Sequence, residues 1–180
     1  MIITISGTPG SGKSTVAKEL AKRLRYKHYS GGDLRGKLAI EMGITIDQLN
    51  KMGEQDPSTD RKADEYIEKL GKTEDNFVID SRLGWHFIPN SLKVFLTVDE
   101  KVAAKRIFSD KKSHRKDEPE YKSAEDVKKA IEQRMKSDSL RYKKWYNLNY
   151  LNTKNYDLAI DTTNKTVNSI VKDILAKCQT

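Results

Sequence analysis

Short β-branched runs alternate with amphipathic stretches along most of this chain. Met1–Ser6 is a compact, mostly apolar run and reads as a buried strand. Between Gly12 and Leu24 the apolar positions are Val16, Ala17, Leu20, Ala21 and Leu24, the stripe of an amphipathic helix. Lys27–Ser30, Phe77–Asp80, Val94–Val98 and Tyr156–Asp161 supply four more strands. Near the end, Val167, Ile170, Val171, Ile174 and Leu175 fall at i, i+3, i+4, i+7 and i+8, with Thr166 placed to cap the helix. Strands alternating with helices predict an α/β fold with a five-stranded parallel sheet flanked by helices.

Two segments interrupt that alternation. From about Asp33 to Gly71 the pattern is helical throughout. Thr45 with Gln48 forms a capping box, Asp56-Pro57 reads as an N-cap followed by a first-turn proline, and Gly71 stands where a C-cap glycine belongs. Ser109–Lys122 is charged, lacks apolar periodicity and reads as a lid. The expected organisation is one domain. Its core covers about residues 1–32, 73–105 and 151–180, with a helical insert at about 33–72 and a lid region at about 106–150.

The strongest chemical signal lies between the first strand and the first helix. Gly7-Thr8-Pro9-Gly10-Ser11-Gly12-Lys13-Ser14 matches G-x-x-x-x-G-K-[ST] at every fixed position, in the strand–loop–helix context of a P-loop NTPase. Glycines allow several N–H groups to converge on one phosphate, and the helix N-terminus adds a favourable dipole. Gly7, Gly10, Ser11, Gly12, Lys13, Ser14 and Thr15 are therefore expected to hold ATP. Lys13 reaches the β- and γ-phosphates, and Ser14 supplies a hydroxyl for Mg²⁺. Asp80, at the end of the third strand, is the expected carboxylate partner of that metal.

Other positions discriminate among P-loop enzymes. No Asn-Lys-x-Asp occurs, which disfavours a GTPase. Ser123 caps a helix on which Val127, Ala130 and Ile131 form an apolar edge, and Arg134, Asp138 and Arg141 stack on one face. Two guanidiniums two turns apart can neutralise a transferring phosphoryl group, which argues for a kinase; a solvated salt-bridge stripe is the alternative. Ser30-Gly31-Gly32-Asp33-Leu34-Arg35 follows the second strand and suits an acceptor phosphate, with a turn capped by Asp33 as the alternative. Arg82 follows the third strand at the same sheet edge, where ligands of open parallel sheets bind. Tyr142, Trp145, Tyr146 and Tyr150 at helical spacing read as a packed face, and the three histidines have no metal-ligand spacing.

Composition narrows the ligand class. In 180 residues there are 34 Lys and Arg against 26 Asp and Glu, a formal net charge of +8. Acidic residues are interspersed throughout, so the excess points to small anions over a nucleic-acid groove. No apolar run approaches the roughly 20 residues of a membrane span. The lone Cys178 excludes an internal disulfide, and a cytoplasmic location is expected.

Together these residues resemble the cytidylate kinases of the nucleoside monophosphate kinase family, most closely the short archaeal-type branch. The resemblance runs nearly the whole length. It rests on the P-loop, Ser30–Arg35, Asp56-Pro57 with Asp60-Arg61, Ser81-Arg82-Leu83-Gly84-Trp85, Arg134 with Arg141-Tyr142, and Tyr156–Thr163. It implies a monophosphate-binding insert and an arginine-bearing lid. Ser30, Asp33, Arg35 and Arg82 would hold the monophosphate nucleotide and Arg106 would lie against the ATP adenine. Arg134 and Arg141 would act with Lys13 on the phosphates, and Asp138 would approach the acceptor pentose. Leu83 stands where the bacterial branch has aspartate, so a carboxylate for the cytosine amine is sought in the insert, with Asp56 and Asp60 as candidates. The expected activity is ATP- and Mg²⁺-dependent phosphorylation of CMP, and of dCMP, by a monomer that binds small nucleotides and neither membrane nor nucleic acid. UMP, AMP or shikimate as acceptor, or a nucleic-acid-binding regulatory NTPase, are the alternatives.

Overall fold

The computed structural model describes residues 1–110 and 121–179. Most of the charged stretch expected to form a lid, residues 111–120, lies outside them. Five strands are present: β1 (Ile2–Gly7), β2 (Lys27–Ser30), β3 (Phe77–Asp80), β4 (Leu92–Thr97) and β5 (Leu158–Asp161). All neighbours pair in parallel, in the order β2-β3-β1-β4-β5. Parallel strands need crossovers, and these are α1 (Lys13–Leu24), α2 (Gly31–Glu41), α3 (Ile46–Gly53), α4 (Ser58–Thr73), α5 (Gly84–Phe87), α6 (Glu100–Ser109) and α7 (Ala124–Tyr146), with α8 (Val167–Cys178) closing the chain. Three strands differ from expectation at their starts. β1 begins one residue later, at Ile2, β4 two residues earlier, at Leu92, and β5 two residues later, because the Tyr156 N–H closes the preceding turn on the Thr153 carbonyl at 3.1 Å.

β1 is buried on both faces, which explains its mixed sequence. Ile3 and Ile5 face a core shared with Val16, Ala17 and Leu20 of α1 and Ile170, Val171 and Ile174 of α8. Thr4 and Ser6 face the other way and are satisfied there: the Thr4 and Ser91 hydroxyls lie 3.0 Å apart, and Ser6 donates to the Arg82 carbonyl at 3.0 Å. The apolar stripes expected for the first and last helices are the ones buried, and Thr166 does cap α8.

Between β2 and β3 the chain is helical, as the pattern predicts. Thr45 and Gln48 form the expected capping box of α3. Two details differ. Asp56 accepts from the Ser58 N–H and hydroxyl, so it organises the turn before α4, and Pro57 falls at the cap position instead of inside the helix. Gly71 lies within α4, which continues to Thr73. Glycine is required there by close approach: a Cβ would stand 2.8 Å from Cγ1 of Ile88. Gly71→Ala should therefore reverse the usual helix-interior gain of about 1 kcal/mol and destabilise the fold by roughly 1–2 kcal/mol. A higher urea midpoint for the variant would refute that account.

Candidate active site

The carboxyl ends of the strands meet one cavity of about 860 Å³, near the top of the usual range for small-molecule sites. β1 enters it through the glycine loop. At Gly7 the backbone has φ +149° and a Cβ would sit 2.1 Å from the Leu96 carbonyl oxygen, so only glycine lets β1 end against β4. Gly12 caps α1 at φ +83° with nothing within 4 Å of where its Cβ would be, leaving the helix N-terminus open to the cavity. Lys13 is folded over this loop, its Nζ donating to the Thr8 carbonyl at 2.8 Å. Burial, together with the guanidiniums of Arg82 and Arg134, pushes its pKa well below the ordinary lysine value. A cation crowded by other cations is relieved by an anion, so the electrostatics favour phosphate here.

Asp80 ends β3 beside this loop. Ser14 Oγ donates to Asp80 Oδ2 at 2.8 Å, Ser30 Oγ to the same atom at 3.1 Å, and His28 Nε2 lies 2.7 Å from Oδ1. Burial alone would raise this carboxyl; the His28 and Ser14 hydrogen bonds outweigh it, and Asp80 stays ionised, below the usual range. His28 is a neighbour that sequence reasoning missed. Alternation along the strand puts His28 and Ser30 on one face, but that β2 lies beside β3 with Ser30 in register with Asp80 is a fact of the fold alone.

The other side of the cavity is built from alternating charges. Arg82 donates through Nη1 to the Gly7 carbonyl at 2.8 Å and through Nε to Asp138 Oδ2 at 2.9 Å. Asp138 also takes Arg141 Nη2, while Arg141 Nη1 reaches Asp60. Asp60 binds Arg35 as well, and Arg35 Nη2 donates to Asn50 Oδ1 at 3.0 Å. Burial would raise Asp138, but Arg82, Arg141 and Arg134 hold it down at about 2. Arg141 is 1% exposed, and its Nε makes no hydrogen bond among the described residues. Arg134, Asp138 and Arg141 thus share a face and line the cavity, but Arg141 reaches it as part of a buried ion network.

Of the insert carboxyls singled out from sequence, Asp56 serves its own turn, and both oxygens of Asp60 are held by guanidiniums. Ser30 caps α2 by accepting from the Asp33 N–H, and Asp33 lies exposed at the cavity edge. Arg106 donates to the Thr162 hydroxyl and to the carbonyls of Thr162 and Thr163, on the rim beside Lys165 and Val167. The aromatic residues near the end of α7 are a packed face: Tyr142 and Tyr150 join Leu83, Trp85 and Phe95 in one cluster. Asp64 was not anticipated. It lines the cavity one turn beyond Asp60 and accepts from the Tyr146 hydroxyl at 2.6 Å. Burial pushes it up to about 7; the Tyr146 hydrogen bond and the charges of Arg35 and Arg141 oppose this, and nearby Asp60 adds to it.

Comparison with known proteins agrees with this geometry. The model of the cytidylate kinase-like family matches residues 2–164. A cytidylate kinase of Natronomonas pharaonis is 39% identical over 164 residues, covering 90% of this chain and 81% of that protein. An S-adenosylmethionine-dependent nucleotide dehydratase of Lacinutrix mariniflava is 36% identical over 178 residues, and this chain spans 36% of its length. Among solved structures, shikimate kinase from Bacteroides thetaiotaomicron superposes with a TM-score of 0.66 at 15% identity, covering 100% of this chain and 99% of that one; the likeness is one of fold.

The two cavity-lining carboxyls of α4, Asp60 and Asp64, should respond oppositely to neutralisation. Asp60→Asn breaks a buried ion network and should cost about 3–5 kcal/mol. For Asp64 the folded-state value near 7 lies above the unfolded value, so its ionisation opposes folding progressively as pH rises from about 4 to about 7. Asp64→Asn should raise the melting temperature at pH 8 by about 5 °C, roughly 2 kcal/mol, with the gain narrowing towards pH 4. A pH-independent loss of stability on Asp64→Asn would contradict the account.

Proposed function

The chain belongs to the cytidylate kinase-like family, and we propose that it transfers the γ-phosphoryl group of ATP to the phosphate of CMP, and of dCMP, yielding ADP and the diphosphate. One observation carries this reading: the P-loop and a cluster of guanidiniums, from Arg35, Arg82, Arg134 and Arg141, line a single cavity. That is the arrangement required to hold a donor phosphate and an acceptor phosphate in line.

The glycine loop binds the ATP phosphates through backbone N–H groups, with Lys13 turning from the Thr8 carbonyl to the β- and γ-phosphates. Arg106 forms part of the adenine-side rim. Ser30, Asp33, Arg35 and Arg82 form the acceptor side, and Asp138 orients both Arg82 and Arg141 there. Ser14 and the ionised Asp80 are a pair of hard oxygen donors 2.8 Å apart, which suits Mg²⁺. Bound with ATP, the ion supplies charge neutralisation on the transferring phosphoryl group. No general base is needed, because the acceptor is itself an anion. The work left to the protein is alignment and electrostatic stabilisation by Lys13, Arg134 and Arg141. The helices between β2 and β3 serve as the acceptor lobe, and the region from about residue 106 to 150 as the lid. The protein acts as a cytoplasmic monomer on small nucleotides. No helix among the described residues is long and apolar enough to cross a membrane.

ADP release with ATP, Mg²⁺ and a panel of CMP, dCMP, UMP, AMP, GMP and shikimate should be led by CMP or dCMP. Turnover led by another acceptor would overturn the base assignment but keep the kinase. Acceptor-independent hydrolysis with salt-sensitive nucleic-acid binding would favour the regulatory NTPase. Lys13→Ala should lower kcat by about 10³-fold or more with the fold intact. Arg134→Ala should lower kcat more than it changes the KM for CMP; near-normal turnover in either variant would sink the mechanism.

A further inference from the structure

Along α4, Asp60, Ala63, Asp64 and Ile67 present one face to the cavity. Asp60 sits among the guanidiniums, clasping Arg35 and Arg141. Asp64 lies four residues on, one helical turn or about 5–6 Å further from that phosphate-binding group. Ile46, Ala63, Ile67 and Leu83 give this cavity apolar lining, with Asp47 and Asn50 among its polar residues. Beyond an acceptor phosphate, the site therefore offers a slot with apolar sides and the Asp64 carboxyl at its edge. A planar base fits that chemistry better than a polyol does.

The carboxyl is oriented. Tyr146, from the last turn of α7, donates to Oδ2 at 2.6 Å, and Oδ1 makes no hydrogen bond among the described residues. Taking the kinase reading above as given, the geometry points to Asp64 as the residue that selects the acceptor base, with Oδ1 accepting a hydrogen bond from the exocyclic amine of cytosine. Uracil carries a carbonyl at that position, and its lone pairs would face the carboxylate oxygens. Arg35, Arg141, Asp60 and Tyr146 are the charged and titratable groups around Asp64. The guanidiniums and Tyr146 favour its ionised, accepting form, and burial and Asp60 oppose it. An amine donor tips that balance towards the carboxylate. Asp56 and Asp60, the two insert carboxyls singled out from the sequence, are occupied by Ser58 and by arginines.

The test is the ratio of kcat/KM for CMP to that for UMP in the wild type, Asp64→Asn and Tyr146→Phe, each with its melting temperature. Asparagine keeps the shape but can turn its amide to either base. The ratio should fall about 10–100-fold in Asp64→Asn, mainly through a higher KM for CMP, the size expected for a hydrogen bond to a charged group. Tyr146→Phe removes the packing link but leaves the acceptor, and should keep a preference for CMP. An unchanged ratio in folded Asp64→Asn overturns the inference while leaving the kinase reading intact. Equal loss of preference in both variants also overturns it, since it would assign Asp64 a structural role. Failure of the wild type to use either nucleotide would instead defeat the kinase reading on which this rests.

Discussion

The site depends on a buried chain of alternating charges that runs Arg82, Asp138, Arg141, Asp60, Arg35. None of these groups could be buried alone, because desolvating an ion costs several kcal/mol that only an opposite charge at contact distance offsets. The chain therefore ties its elements together: the segment after β3, helix α7, helix α4 and helix α2. Within that chain three guanidiniums stand against two carboxylates, a local excess of positive charge. On the kinase reading proposed above, an acceptor phosphate would complete that balance.

The sheet determines where this happens. β1 is central: the chain leaves it for β2 on one side and later crosses from β3 to β4 on the other, so the strand order reverses beside β1 and opens a crevice at its carboxyl end. Gly7 lets that strand terminate in close contact with the Leu96 carbonyl, and Gly12 leaves the amino end of α1 uncovered. Asp80 comes from the adjacent strand and reaches Ser14 across the gap. On the proposed reading, donor and acceptor sides are built from neighbouring stretches of one sheet edge. Arg82 bridges them by bonding both the Gly7 carbonyl and Asp138.

Several groups in the cavity are held in states that do not favour the fold. Lys13 is crowded by cations, Asp64 is pushed up to about 7, and Arg141 keeps an unpartnered buried Nε among the described residues. Each is a local cost in the free protein that a nucleotide would relieve. The stable parts lie elsewhere: the apolar layer of β1, α1 and α8, and the cluster of Trp85, Phe95, Tyr142 and Tyr150.

Local chemistry was legible in the chain itself. The P-loop, the strand-end Asp80, the Thr45 and Thr166 caps and the stripes of α1 and α8 depend on neighbours within one turn or one strand, and periodicity exposes those. The five strands followed from the same signal, with errors of one or two residues at their ends, as where the Tyr156 N–H closes a turn instead of joining the ladder. What the sequence by itself determined was a phosphate-binding α/β fold with a helical segment rich in candidate ligands. Only the tertiary structure decided which candidates were already engaged. His28 meets Asp80 because β2 and β3 are adjacent, Asp60 is consumed by arginines from α2 and α7, and Asp64 is left facing the cavity because Tyr146 arrives from the end of α7. Those contacts join residues tens of positions apart, and whether a carboxylate is paired, desolvated or available depends on that long-range company rather than on its place in the chain.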